Sequence, residues 1–164
     1  LSNIINCFIN NQTDIVYGNL IYVKKSNKEK ILRYWRSNQY KKGIFFKGWS
    51  PPHPSFFVKK EIYDKYGLYS QSLGNPADVE LMFRFLEKMS VQNFYYDKIF
   101  VSMRIGGLSN RSILGILKQN ITILKFLKIH SNFIKILRFF FFKFLNRVKQ
   151  FYNVKKHKIF KENL

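Results

Sequence analysis

The chain has 164 residues, 46% of them hydrophobic, which suffices for one domain with its own core and excludes a disordered chain. It carries 29 Lys/Arg against 9 Asp/Glu, a formal net charge of +20. Such an excess selects anionic partners such as nucleic acid, acidic lipid or phosphorylated substrates, although Lys, Asn, Ile, Phe and Tyr rise together here, as in proteins from AT-rich genomes.

Leu1 to Ile9 places Leu1, Ile4, Ile5, Phe8 and Ile9 on one helical stripe, which Asn10, Asn11 and Gln12 end. Cys7 lies inside that stripe and reads as a small core residue; a single thiol excludes an internal disulfide. Asp14 to Val23, DIVYGNLIYV, is β-branched and aromatic and predicts a buried strand. Gly18 within it predicts a bulge or a close backbone approach. Lys24 to Lys30 is a charged turn, and Ile31 to Trp35 returns as a second strand. Tyr40 to Lys47 is a short amphipathic segment. Gly48 to Pro54 then breaks all periodicity, because its three prolines cannot continue a helix.

Ser55 to Val58 predicts a short strand, and Lys59 to Tyr66 a helix stopped by Gly67. Asn75-Pro76-Ala77-Asp78 reads as a helix start, with Asn75 as N-cap, Pro76 at the first helical position and Asp78 at the third. That helix runs to about Met89 with Val79, Met82, Phe83 and Leu86 on one face. Asn93 to Tyr96 and Ile99 to Ile105 are strands around a turn at Asp97-Lys98, and Gly106 to Asn110 is a loop. From Ser112 onward helical periodicity takes over. Arg111 to Leu164 holds thirteen Lys/Arg and one acid, Glu162.

Four constellations could carry chemistry. Asp78 near a helix start is held in its charged form by free N–H groups and can accept a proton from a sugar hydroxyl. An acid there is also an ordinary capping residue, and both readings stand. Glu80 points elsewhere, and Arg84 serves a substrate or a salt bridge. His53, fixed among prolines, is a substrate contact or a loop histidine satisfied by backbone; Trp49 stacks on a sugar or closes the core. Met103 to Asn110, which includes Arg104, sets a Gly-Gly loop between strand and helix, able to approach phosphate but matching no nucleotide fingerprint. Phe133 to Phe151 carries apolar residues near a 3.6 period with Lys and Arg on the other side, as a helix lying in an anionic interface does. It is too interrupted by charge to span a bilayer, and a helix packed on its own domain has the same pattern. His53, His130 and His157 stand apart, with no zinc spacing.

Read together, several of these stretches resemble a known family. DIVYGNLIYV, then Trp49 to Phe57, Gly67-Leu68-Tyr69, Ala77 to Arg84 and Met103 to Asn110 follow the order seen in family 2 glycosyltransferases of the GT-A fold. The likeness covers roughly Asp14 to Leu127. It is closest to the bacterial branch acting in capsule, O-antigen or exopolysaccharide synthesis.

The resemblance implies an α/β fold: the C-terminal, acceptor-side portion of a GT-A domain over 1–110, then a basic amphipathic helical tail over 111–164. It implies an inverting transfer from a nucleotide-sugar donor to a lipid-linked or saccharide acceptor. Asp78 would be the general base, with Trp49, His53, Glu80, Arg84, Arg104, Gly107 and Ser109 at the substrates. The family holds Mg²⁺ or Mn²⁺ with an Asp-x-Asp motif, and this chain departs from it: Asp14 is followed two on by Val16, and Asp97 by Ile99. The motif would fall just before Leu1, so the chain reads as half of a working domain, inactive alone. The expected location is cytoplasmic, peripheral at the inner face of the cell membrane. The basic amphipathic tail makes an anionic membrane surface the expected partner, and with no nucleic-acid motif in the chain no nucleic acid is expected. The rival class is a non-catalytic basic module that binds anionic lipid or nucleic acid.

Overall fold

Strand β1 (Ile15–Lys24) is the axis of the molecule, and its first six residues are all buried. The computed structural model describes residues 2–104, 113–129 and 132–162. Helix α1 (Ser2–Asn10) precedes β1, and Cys7 is buried beneath it. β2 (Asn27–Trp35) returns antiparallel, pairing Leu20 with Trp35 through Lys24 with Asn27. β3 (Phe56–Val58) pairs antiparallel with Ile15–Tyr17, so β2 and β3 share one edge of β1 end to end. The other edge is taken by β4 (Asn93–Arg104), which runs parallel to β1 from Ile15 to Val23. Because successive side chains point to opposite faces, burial of consecutive residues means that both faces of this part of β1 are covered, and its sequence is accordingly a near-continuous apolar run. The result is a mixed four-stranded sheet with helices, an α/β architecture.

β4 corrects one sequence expectation. Asn93 to Arg104 is one strand, not two strands around a turn at Asp97-Lys98. Tyr17 pairs with Tyr95, but Asn19 pairs with Ile99, so β4 gains two residues over β1 at this point. The polar pair that suggested a turn is a bulge. Gly18 lies opposite it. A Cβ there would sit 2.7 Å from the Phe100 ring and 2.9 Å from the Lys98 carbonyl oxygen, so of the two roles foreseen for this glycine the close approach holds, while the bulge lies in β4.

Helix α2 (Lys60–Tyr66) ends at Gly67, whose φ of +87° a side chain would resist. Helix α3 (Ala77–Phe83) starts one residue later than expected. Pro76 is the N-cap, no side chain caps the helix, and Asp78 is its second residue rather than its third. Past Phe83 the backbone widens into a π-turn over Arg84–Lys88, with Met89 N–H bonded to the Arg84 carbonyl at 2.9 Å. The extra residue lets Leu81, Met82, Phe83, Phe85 and Leu86 all reach the interior, more than the single stripe the periodicity predicts.

Two helices close the core. α4 (Ile113–Phe126) contributes Ile123 and Leu124, and Phe83 meets Phe126 at 5.8 Å. α5 (Phe133–Glu162) crosses β2 and the 3-10 turn Ile44–Lys47, burying Phe139. Gly48 makes that crossing possible. Its φ is +62°, and a Cβ would lie 2.6 Å from Lys143 Cβ and 3.0 Å from the Phe139 carbonyl oxygen.

Lys143 is held in this seam with its ammonium donating to Asn120 of α4. Burial, with help from the nearby charge of Arg147, pushes its pKa from 10.5 down to about 8. Between those values the folded chain has released a proton that the unfolded chain still binds, so this group makes stability rise with pH. The contribution is full above 10.5 and is lost as pH falls through about 8. Urea midpoints are expected to climb from pH 7 to 9.5, below the range where Tyr17, Tyr40 and Tyr95, all shifted upward by burial, would oppose it. Lys143→Met is expected to flatten that climb; parallel curves for parent and variant would refute the assignment.

Candidate functional site

The prolines before His53 set the geometry of the site. Pro52 enters the 3-10 turn His53–Ser55 with φ −68°, the value its ring enforces. Ser55 is fully buried, and its hydroxyl lies 2.9 Å from both the Gly18 and the Pro52 carbonyl oxygens. The turn is thereby pinned to the middle of β1, and His53 is held outward at its head.

Asp78 comes to the same place from the first turn of α3. His53 Nδ1 lies 2.8 Å from Asp78 Oδ2. An ionised carboxylate only accepts, so the imidazole donates its Nδ1–H and keeps Nε2 for another partner. The other oxygen, Oδ1, accepts the Val79 N–H at 2.7 Å. The His53 side chain is 52% exposed and Asp78 23%, so the pair opens to solvent while the carboxylate is sheltered. A carboxylate has about four lone-pair directions, so both oxygens retain capacity for a further donor. The arrangement can take a proton from a hydroxyl delivered to it.

The remaining residues marked from sequence scatter. Glu80 and Arg84 pair with each other at 3.1 Å one turn apart. Arg84 also donates to the carbonyls of Tyr66, Gly67 and Leu68, the last at 2.7 Å, which clamps the end of α2 to α3. Both side chains are spent on that clamp. Trp49 is buried and packs on Phe45 at 5.6 Å and on Tyr17 at 6.4 Å, so it closes the core. Arg104 is exposed and pairs with Val23, five residues along β1 from Gly18. Gly107 and Ser109 lie outside the described residues.

A second polar group went unread in the sequence. Asn19, fully buried, donates to Asp97 Oδ1 at 2.8 Å and to the Tyr34 hydroxyl at 3.2 Å, and accepts from Ser37 N–H at 2.8 Å. The Tyr95 hydroxyl sits between Asn19 Oδ1 and Asp97 Oδ1, at 2.9 and 2.8 Å. Arg36 grips Asp97 through two nitrogens. Hydrogen bonding from Arg36 holds the Asp97 carboxyl at about 2, with Asn19 and Tyr95 adding to the pull and burial opposing it. Its signal was a lone acid inside an aromatic strand, FYYDKIF. Nearby, a cleft of about 350 Å³ opens between the end of β2 and α5, with Trp35, Ser37, Trp49, Tyr95 and Lys149 in its walls. Neither His53 nor Asp78 lines it.

Among the described residues, no group of three or more His, Cys, Asp or Glu side chains could hold a metal ion. Near the site Glu80 is paired with Arg84, which leaves Asp78 without that carboxylate as a companion for Mg²⁺ or Mn²⁺. Set against protein-family models, curated proteins and solved structures, the chain matches none of them. The class that the residues themselves define is a mixed α/β protein presenting a histidine-anchored aspartate at its surface.

Proposed function

We propose that this chain is the acceptor-side part of an inverting glycosyltransferase of the GT-A fold, with Asp78 as its general base. The observation that carries the reading is the 2.8 Å contact between Asp78 and His53, two residues twenty-five positions apart whose only shared feature in the sequence is the order of motifs around them. In the reaction, an acceptor hydroxyl gives its proton to Asp78. Its oxygen forms a bond to the anomeric carbon of a nucleotide-sugar from the opposite face. The bond from that carbon to the diphosphate oxygen breaks, and the electron pair leaves with the nucleoside diphosphate. His53 is a positioning residue: its Nδ1–H fixes the carboxylate, and Nε2 is left for the acceptor or the diphosphate. The sugar and the linkage follow from parts of the site that these two residues do not form.

The test is formation of a glycosidic product from a panel of nucleotide-sugars and saccharide or lipid-linked acceptors. It is run on the chain alone and on a fusion that adds a nucleotide-sugar-binding half-domain ahead of it. Transfer by the fusion that depends on Asp78 supports the reading. Transfer that survives Asp78→Asn at the parental rate excludes it.

A further inference from the structure

We propose that the outward face of α5 seats this protein in the plane of an anionic lipid bilayer. The helix is bound to its own domain by one side only, and that side is the more polar one. Among its described side chains Phe139 is the one fully buried ring; beside it Lys143 bonds Asn120, Asn146 approaches the Lys47 carbonyl at 3.5 Å, and Gln150 bonds Arg33. Spaced 4, 3 and 4 apart, these residues form a narrow seam along the helix.

The opposite side holds Phe133, Leu137, Phe141, Phe144, Val148 and Phe151. Each is between 48% and 72% exposed. At 3.6 residues per turn they fall within about 100° of arc, centred nearly opposite the seam. The apolar stripe read from the sequence is therefore the face the core leaves uncovered. α4 repeats the pattern on a smaller scale, with Leu114, Leu117 and Ile121 all at least half exposed.

Charge decides what covers this face. Arg138 and Lys149 flank the stripe on one side and Arg147 on the other, all exposed. The Arg138 guanidinium lies 5.8 Å from the centre of the Phe142 ring, so a cation sits at the border of the apolar surface. From Arg111 to the end of the chain the only acid is Glu162, so these cations lack carboxylates along the helix to pair with. A second copy laid on the stripe would bring its own Arg138, Arg147 and Lys149 against these, on two chains of net charge +20 each. Nucleic acid would satisfy the cations but leave the rings in water. An anionic bilayer satisfies both, taking the rings at the acyl boundary and the cations at the headgroups. No helix among the described residues is long and apolar enough to cross a membrane, in keeping with a helix that lies flat.

The experiment is co-sedimentation of the full chain with vesicles of phosphatidylcholine alone and of phosphatidylcholine with 30% phosphatidylglycerol, at low and high salt. Binding is expected to be at least about tenfold tighter to the anionic vesicles, and to weaken with salt. Phe141→Glu/Phe144→Glu, on exposed positions, is expected to cut that binding at least about tenfold with an unchanged thermal midpoint. Arg138→Gln/Lys149→Gln should narrow the preference for anionic over neutral vesicles. Absent binding, equal binding to both vesicles, or indifference to the double glutamate variant each overturns the proposal. So does a dimer in light scattering that the same variant splits, since the stripe would then be covered by a second copy. None of these readouts uses sugar transfer, so the proposed activity can fail without touching this result.

Discussion

Asp78→Asn is expected to lower product formation by the transferring fusion by about 10²–10⁴-fold, the usual worth of a positioned general base. Stability should barely change. The Asp78–His53 pair is partly exposed, and such pairs contribute about 0–1 kcal/mol. Asparagine keeps the shape of the side chain, but its single oxygen can accept from only one of His53 and Val79, and it cannot take up the acceptor's proton. The kinetic signature is a fall in kcat with little change in the acceptor KM. His53→Ala should cost less, because the carboxylate remains and only its orientation loosens. His53→Gln, which restores an N–H donor, should recover part of the loss. A rise in KM alone, or equal rates for His53→Ala and Asp78→Asn, would assign the pair to binding instead of proton transfer.

The second large effect is on folding. Gly48→Val is expected to destabilise the protein by about 2–5 kcal/mol, from a left-handed backbone forced on a β-branched residue plus overpacking against α5. The obstacle is the Cβ of Lys143 at 2.6 Å, which is fixed to the helix backbone and cannot swing away. Gly43→Val is the control. Gly43 has the same left-handed backbone, with φ +83° and ψ −2° against +62° and +20°, but nothing within 4 Å of its Cβ position. It should show only the backbone part, about 1–2 kcal/mol. Urea unfolding of the two variants separates strain from collision, and equal losses would mean that α5 does not rest on Gly48.

Much of the architecture is legible in local pattern. The β-branched run of β1 and the proline break before His53 are spelled out by residue chemistry, and so are the Gly67 stop and the long C-terminal periodicity. What pattern misses is set by contacts distant in sequence. Asp97 reads as a turn residue until Asn19, seventy-eight positions away, is seen to bind it within a bulged strand. Asn75 looks like a cap, yet the chain caps α3 with Pro76. The stripe of α5 shows that a helix is amphipathic but not which side faces inward. Here Gly48 and the polar partners Arg33 and Asn120 pull the other side down. At the site, His53 and Asp78 were each marked from sequence, but no local rule joins them. Glu80 and Arg84 were marked with equal reason and turn out to serve the end of α2.

The chain's two tryptophans, Trp35 and Trp49, both wall the cleft whose far side is formed by Asn146, Lys149, Gln150 and Asn153 of α5. Indole emission depends on how wet its surroundings are. Should α5 lift from β2, both fluorophores would meet water together and their emission would redden. The protein therefore carries a native optical gauge, needing no added dye, for whether its longest helix is latched to the sheet or has let go.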